Sequence, residues 1–187
     1  LDVDGAMLAL YRSRWADAIH VSRSSDHGRT WTAPEPTALP NNNSSVQWTP
    51  LADGRLAVVY NHVRADEGTA RRLGLYDEID EHGIVEGVEP AAPVQAAGAG
   101  RSAFWGTPRA PMSLATSSDG GETWTPRLTL DTGTGYCLSN NSRDGVNREL
   151  SYPSILQTAD GTIHVAYTYW RQAIKHVRID PLELDDA

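Results

Sequence analysis

The chain has 187 residues, enough for one domain. Its 24 Asp and Glu against 16 Lys and Arg give a formal net charge of −8, which argues against a nucleic-acid partner because such a protein needs a basic face. Apolar residues make up 40%, as in a folded soluble domain, and no apolar run approaches the ~20 residues of a membrane-spanning helix. We therefore expect a single soluble domain over residues 1–187.

Cysteine content and the first residue leave the compartment open. The only cysteine, Cys137, cannot form an internal disulfide, and the chain begins at Leu1 with no resemblance to a signal peptide. Because the first residue is not Met, we expect that an upstream segment is missing from this sequence. A bacterial cytoplasmic and a secreted location both remain open.

The first predicted elements are hairpins that recur along the chain. An Asp-Gly pair is followed by alternating apolar residues and a Tyr seven positions after the Asp, and such a pair feeding a β-rich run is a strong hairpin signal. The three copies begin at Asp4, Asp53 and Asp160 and end at Tyr11, Tyr60 and Tyr167.

A second repeated pattern, Ser-x-Asp-x-Gly-x-Thr-Trp, follows two of the predicted strands. It runs from Ser24 to Trp31 and again from Ser117 to Trp124. The Asp side chain accepts backbone N–H groups within a tight turn, and the Gly supplies a positive φ. We call these two segments the box turns and expect a structural role for them.

The order of hairpin and box turn predicts an all-β chain and a β-propeller. A degenerate copy lies at 72–78, and Ala173–Val177 echoes the strand before the first box turn, so the chain holds about three and a half units of about 45–50 residues. Units of this size match propeller blades, whereas a sandwich would not require the same order to recur. Residues 89–100, rich in Ala, Gly and Pro, are interpreted as an inter-blade loop.

The box turns resemble the Asp-boxes, or BNR repeats, of the sialidase (neuraminidase)-like superfamily. Ser151–Ile155 is similar to the sialidase segment that carries the nucleophilic tyrosine, and Pro108–Leu114 to a segment that carries an arginine of the carboxylate-binding triad. The run Leu39–Ser44 resembles predicted bacterial sialidases. The resemblance implies a six-bladed propeller, of which this chain would be the C-terminal part. We expect the N-terminal half to be missing or on another chain, and we rank a four-bladed ring lower.

The resemblance also implies roles for three residues in cleavage. Tyr152 would be the nucleophile, Glu149 its proton acceptor and Asp17 the general acid, since sialidases use a tyrosine in place of one carboxylate. Strand alternation places 148, 150 and 152 on one face, so Glu149 would face away unless the backbone before Tyr152 is irregular. A packed aromatic and a surface ion pair are the alternatives for Tyr152 and Glu149.

We expect arginine and asparagine side chains to bind the sugar. Guanidinium groups bind carboxylates through two parallel hydrogen bonds. The predicted ligands are Arg109, Arg148, Arg12 and Arg14 for the carboxylate and Asn42 and Asn43 for hydroxyl groups. Solvated charges and turn-forming asparagines are the alternatives.

The predicted function is that of an exo-acting sialidase-like glycoside hydrolase that removes a terminal acidic sugar. A non-catalytic glycan-binding propeller and another carbohydrate-active propeller enzyme, such as a polysaccharide lyase, are the alternatives. The histidines show no metal-ligand spacing, so we expect no metal and no cofactor. Because an open propeller exposes a sheet edge, self-association is a further expectation. The isolated chain is expected to be inactive if half of its cleft is missing.

Overall fold

The computed structural model describes residues 6–69, 79–80, 83–84, 103–133 and 149–185. These residues confirm the predicted all-β class, with one short 3-10 helix at Pro181–Leu184. No helix in these ranges has the length and apolar character needed to cross a membrane. The strands, in chain order, are β1 (Met7–Tyr11), β2 (Ala18–Ser24), β3 (Glu35–Pro40), β4 (Gln47–Pro50), β5 (Leu56–Asn61), β6 (Ile79–Asp80), β7 (Gly83–Ile84), β8 (Met112–Ser117), β9 (Thr125–Asp131), β10 (Leu150–Gln157), β11 (Ile163–Tyr169) and β12 (Ala173–Ile179).

The strands form three antiparallel sheets and a separate β6–β7 pair. The first sheet has the order β1-β2-β3, the middle sheet β4-β5-β8-β9 and the third sheet β10-β11-β12. The predicted Asp-Gly turns join β4 to β5 and β10 to β11, and their glycines, Gly54 and Gly161, have φ of 90° and 89°. A positive φ is what such a turn requires of its glycine.

The middle sheet is packed on both faces, so that the three sheets form a stack. Every residue of β5 and of β8 is buried, which matches the continuous apolar run in β5. Leu56, Val58 and Tyr60 pack against the first sheet, and Ala57 and Val59 on the opposite face pack against the third. The described residues form no closed ring, so the propeller and its blade number stay predictions.

The box turns lie together at one end of the stack. In the first, Ser24 Oγ donates to Asp26 Oδ1 (2.8 Å), while the N–H and hydroxyl of Thr30 donate to the same carboxylate (2.8 and 2.7 Å). Ser117, Asp119 and Thr123 make the same contacts in the second turn. These hydrogen bonds lower the pKa of Asp26 to about 2 and hold the pKa of Asp119 well below its usual range. The repeated Ser, Asp and Thr residues therefore stabilise the turns in which they lie.

Candidate functional site

The other end of the stack gathers loops from all three sheets. The Phe104 N–H donates to the Arg14 carbonyl (2.7 Å), which ties the segment before β8 to the β1–β2 loop. Further along that segment, the Leu150 N–H donates to the Arg109 carbonyl (2.8 Å). The Trp170 N–H in the β11–β12 turn then donates to the Glu149 carbonyl (3.0 Å). These bonds bring most of the predicted site residues to one end of the molecule.

Glu149 lies at the centre of this end and is only 3% exposed. Its Oε1 accepts from Arg109 Nη1 (3.2 Å) and from Ser151 Oγ (3.0 Å). Its Oε2 accepts from Arg171 Nε (2.8 Å). One buried carboxylate therefore holds two guanidinium groups in fixed orientations.

Tyr152 lies within an irregularity in β10. Between Ser151 and Ser154 the pairing with β11 gains one extra residue on the β10 side, which is a β-bulge. Tyr152 has φ of 51°, a left-handed conformation that is costly for a residue other than Gly. Its side chain is 64% exposed. Glu149 and Ser151 are buried while Tyr152 is exposed, which is the alternation expected along a strand.

Arg109 connects the carboxylate with the tyrosine. Its guanidinium carbon lies 5.7 Å from the centre of the Tyr152 ring, within the range of a cation–π contact. The same guanidinium binds Glu149, and its side chain is 20% exposed. Arg109 and Glu149 come from different sheets, joined through a backbone bridge between these two residues. An aromatic hydroxyl and a fixed cation are thus presented side by side.

Asn42 and Asn43 make contacts inside the protein. They are 4% and 2% exposed. The Asn42 amide donates to the Pro108 carbonyl (2.8 Å), and the Asn43 amide donates to the Phe104 carbonyl (2.9 Å). Both side chains therefore hold the segment that leads to Arg109, and their contacts support a positioning role for them.

The β1–β2 loop presents charged residues at the same end. Arg12 and Arg14 are exposed, and neither guanidinium has an ion pair or hydrogen bond with another described residue. Asp17 is half-buried, and its Oδ1 accepts from the Ala18 N–H (2.7 Å). Arg148 and the 89–100 loop lie outside the described residues. The loop therefore offers two free cations beside the Arg109 segment.

Comparison with models of known protein families identifies the family of this chain. The model of the BNR repeat-like domain matches residues 1–165. The chain belongs to this family. The predicted membership of the sialidase-like BNR superfamily is thereby confirmed, and no curated protein was found to match.

Comparison with solved structures shows which known folds this BNR repeat-like domain resembles. A structure of NanB with Optactamide is 13% identical with a TM-score of 0.51, over 99% of this chain and 23% of that chain. The NanB sialidase of Streptococcus pneumoniae is 13% identical (TM-score 0.46, 97% and 22% covered). The intramolecular trans-sialidase of Ruminococcus gnavus is 14% identical (TM-score 0.38, 96% and 41% covered). The domain thus spans less than a quarter of the NanB chain in the first comparison, and the likeness concerns the fold.

Three residues of the BNR repeat-like domain were missed by sequence reasoning. Arg171 binds Glu149 from the β11–β12 turn, where it and Trp170 have φ of 55° and 54°. Asn61, which is 1% exposed, donates its amide to the Leu150 carbonyl (3.0 Å) and so fixes the start of β10. Ser151 completes the contacts of Glu149. The one available signal was position, because Asn61 directly follows Tyr60 and Arg171 lies four residues after Tyr167, each near the end of a repeated hairpin strand.

Two cavities of the domain lie at the opposite end. One of about 460 Å³ is lined by Asp160–Thr162 and Arg178–Leu182. The other, of about 420 Å³, lies between the first and middle sheets beside Met7, Trp48 and Leu56. Neither is lined by the predicted site residues. The evidence for the candidate site is therefore its fixed charged groups and the exposed phenol of Tyr152, and neither cavity contributes to it.

Proposed function

We propose that this chain carries part of the active site of a sialidase-type exo-glycosidase that removes a terminal acidic sugar. The observation that supports it best is the Arg109 guanidinium, held by buried Glu149 and placed beside the exposed ring of Tyr152. A sialic acid carries a carboxylate on its anomeric carbon, so its recognition and its cleavage need a cation and a nucleophile close together. The family and the fold are consistent with this function.

Recognition of the sugar begins with charge. Arg109 and Arg171 both bind the Glu149 carboxylate, so two guanidinium groups lie together at this point. Guanidinium forks match carboxylates in shape, and their hydrogen bonds are charge-assisted. Arg12 and Arg14 add two exposed cations from the neighbouring loop, and Arg148 is proposed as a further ligand. Such a cluster attracts an anionic sugar although the whole chain is acidic.

Cleavage is proposed to use Tyr152 as the nucleophile. Its phenolic oxygen forms a bond to the anomeric carbon as the bond from that carbon to the leaving oxygen breaks. The phenolic proton passes to Glu149, and Asp17 supplies a proton to the leaving oxygen. Water then attacks the anomeric carbon and gives a proton to Asp17, while the bond from that carbon to the phenolic oxygen breaks and Glu149 returns the proton to Tyr152. A neutral phenol avoids the repulsion that a carboxylate nucleophile would meet at this carbon.

Glu149 has limited room for the role of proton acceptor. A carboxylate offers about four acceptor positions, and Arg109, Arg171 and Ser151 occupy three of them. One position on Oε2 therefore remains for the Tyr152 phenol. Glu149 thus has a second proposed role, that of orienting both arginines.

A non-catalytic sugar-binding site is the second candidate. The observation that favours it is the Tyr152 phenol, which has no hydrogen bond with any other described residue, including Glu149. A ring without a base still provides an apolar face for a sugar, next to the cation that binds its carboxylate. The two candidates therefore differ in turnover and share the binding of an acidic sugar.

One pair of measurements distinguishes them. We expect Tyr152→Phe to lose roughly 1,000-fold or more of turnover on a fluorogenic sialoside while binding of sialic acid stays nearly unchanged. Tyr11→Phe, which alters another exposed tyrosine, is the matched control and should keep full activity. Unchanged turnover in Tyr152→Phe would remove the nucleophile assignment. Binding that needs Arg109, without turnover in a protein that has the complete cleft, would favour the second candidate.

A further inference from the structure

His62 lies at the end of the stack that carries the candidate site, but it takes no part in the proposed cleavage. It directly follows β5, and its N–H donates to the carbonyl of Pro111 (3.1 Å), two residues after Arg109. Three residues further along, the Ala65 N–H donates to the Ala16 carbonyl (2.8 Å) in the β1–β2 loop. His62 is exposed. It therefore lies between the Arg109 segment and the β1–β2 loop, from which other site residues are proposed to come.

The hydroxyl of Tyr60 fixes the imidazole ring of His62. The Tyr60 oxygen and His62 Nδ1 form a short hydrogen bond, and the hydroxyl has no other partner among the described residues. Tyr60 is fully buried, and burial raises the pKa of its phenol, so the hydroxyl keeps its proton and needs an acceptor. Nδ1 is the acceptor within reach. The neutral ring therefore carries its N–H at Nε2.

The same contact favours the neutral form of the ring. A second proton would have to bind Nδ1, where it would compete with the hydroxyl hydrogen of Tyr60. Partial burial of the imidazole also lowers the pKa of His62. Among the described residues, no group accepts a hydrogen bond from Nε2. His62 thus offers an uncharged N–H donor in a fixed ring, next to the charged groups of the site.

The third sheet shows what a residue at such a position can do. Arg171 lies in the segment after β11, as His62 lies in the segment after β5, and Arg171 binds Glu149 there. Asn61, next to His62, is buried and donates its amide to the Leu150 carbonyl (3.0 Å). The start of the segment after β5 therefore has two functions: Asn61 holds the backbone of the site, and His62 presents an exposed donor.

We propose that His62 binds an uncharged oxygen of the acidic sugar through its Nε2–H. This inference rests on the proposed function, in which Arg109 and its neighbours bind the sugar carboxylate. A neutral N–H donor suits an uncharged oxygen, whereas a carboxylate is matched by the charged guanidinium groups. Tyr60 is then a positioning residue, because its hydroxyl determines which nitrogen of His62 carries the proton.

Calorimetric titration with sialic acid tests the proposal in a protein that has the complete cleft. We expect His62→Ala to weaken binding about 10-fold, whereas His62→Gln, whose amide can take the place of Nε2–H, keeps most of the affinity. Tyr60→Phe should weaken binding about 3-fold, and its addition to His62→Ala should cost nothing further, because both act through one donor. His27→Asn, in the first box turn at the opposite end, is the control and should leave the affinity unchanged.

Two further observations separate this inference from the proposed function. Full affinity in His62→Ala, together with lost affinity in Arg109→Ala, would overturn the role of His62 and leave the proposed function intact. A parent protein that does not bind sialic acid would overturn both. The nitrogen chemical shifts of the His62 ring, measured by NMR, should show the proton on Nε2 before sialic acid is added and a shift of that N–H after it. A proton on Nδ1, or an Nε2–H signal that saturating sialic acid leaves unchanged, would overturn the proposed contact.

Discussion

The guanidinium carbon of Arg109 lies 5.7 Å from the centre of the Tyr152 ring, and the two residues come from different sheets. Arg109 precedes β8 of the middle sheet, whereas Tyr152 lies in the bulge of β10. Their contact depends on how the two sheets pack and on Glu149, which binds the same guanidinium. Substitutions in either sheet can therefore be used to test the candidate site.

Loss of the Glu149 charge should destabilise the protein. Glu149→Gln removes the negative charge that binds Arg109 and Arg171, and because their side chains are 20% and 35% exposed, water compensates in part. We expect a loss of about 2 kcal/mol in the free energy of unfolding, below the 3–5 for a fully buried pair. Glu122→Gln, which removes an exposed partner of Arg23, should cost at most about 0.5 kcal/mol. Urea unfolding measures both, and equal losses would contradict a central role for Glu149.

The backbone at Tyr152 should favour glycine. A left-handed φ costs an L-residue about 1 kcal/mol or more, and Gly adopts it freely. Tyr152→Gly and Tyr152→Ala lose the same exposed ring, so their difference reports the backbone alone. We expect the Gly variant to be more stable than the Ala variant by about 1 kcal/mol in urea unfolding. An Ala variant that is equally stable would show that the bulge relaxes without strain.

A side chain at position 133 should destabilise the protein. Its φ is 68°, and a Cβ there would lie 2.4 Å from the Cβ of Ala110, the residue after Arg109. Gly161 has a similar positive φ with nothing within 4 Å, so Gly161→Ala measures the backbone cost by itself. We expect Gly133→Ala to lose about 2 kcal/mol more than Gly161→Ala, since close-packed neighbours must move. Thermal unfolding compares the two, and equal losses would refute the close approach.

That close approach also predicts an effect on the site. Movement of Ala110 displaces Arg109, so Gly133→Ala should weaken the binding of an acidic sugar whereas Gly161→Ala should leave it unchanged. Calorimetric titration with sialic acid measures the affinity of both variants. Full affinity in a folded Gly133→Ala variant would show that Arg109 is positioned independently of this contact.

The box turns should make stability depend on acid pH. The pKa of Asp26 is about 2 in the folded chain, below its ordinary value of 3.8, because Thr30 and Ser24 donate to the carboxylate. The folded state thus binds fewer protons than the unfolded state, so this stabilisation is complete above about pH 4 and is lost as the pH falls through about 2. Asp26→Asn should be less stable than the parent at pH 5, and the difference should shrink at pH 2. The urea concentration at the unfolding midpoint, measured for the parent and for Asp26→Asn at both pH values, tests this. A difference between the two proteins that is the same at pH 5 and pH 2 would contradict it.

Much of the fold could be predicted from local sequence. The Asp-Gly turns at 53–54 and 160–161, the strands after them and the two box turns involve residues close together in the chain. Their hydrogen bonds close within a few residues, and alternation with period two assigns the faces of a strand. The box turns also identified the superfamily, because the pattern of residue types is itself specific.

The site depended on tertiary structure. Strand alternation predicted that Glu149 would face away from Tyr152, and the structure buries Glu149 while Tyr152 is 64% exposed. That both residues contact the Arg109 guanidinium depends on how the middle and third sheets pack. Arg171 lies far along the chain from Arg109, and only the packing of the third sheet on the middle one brings both to Glu149.

The sequence by itself thus determined the all-β class, the repeat and the superfamily, because each follows from contacts between near neighbours. Tertiary structure decided which charges meet and which residues are buried. Asn42 and Asn43 show this difference. Their residue type is common in turns, and in the structure their buried amides donate hydrogen bonds to the segment that leads to Arg109. A buried amide or carboxylate must satisfy its hydrogen bonds with whatever the packing brings near, and strand periodicity does not encode those partners.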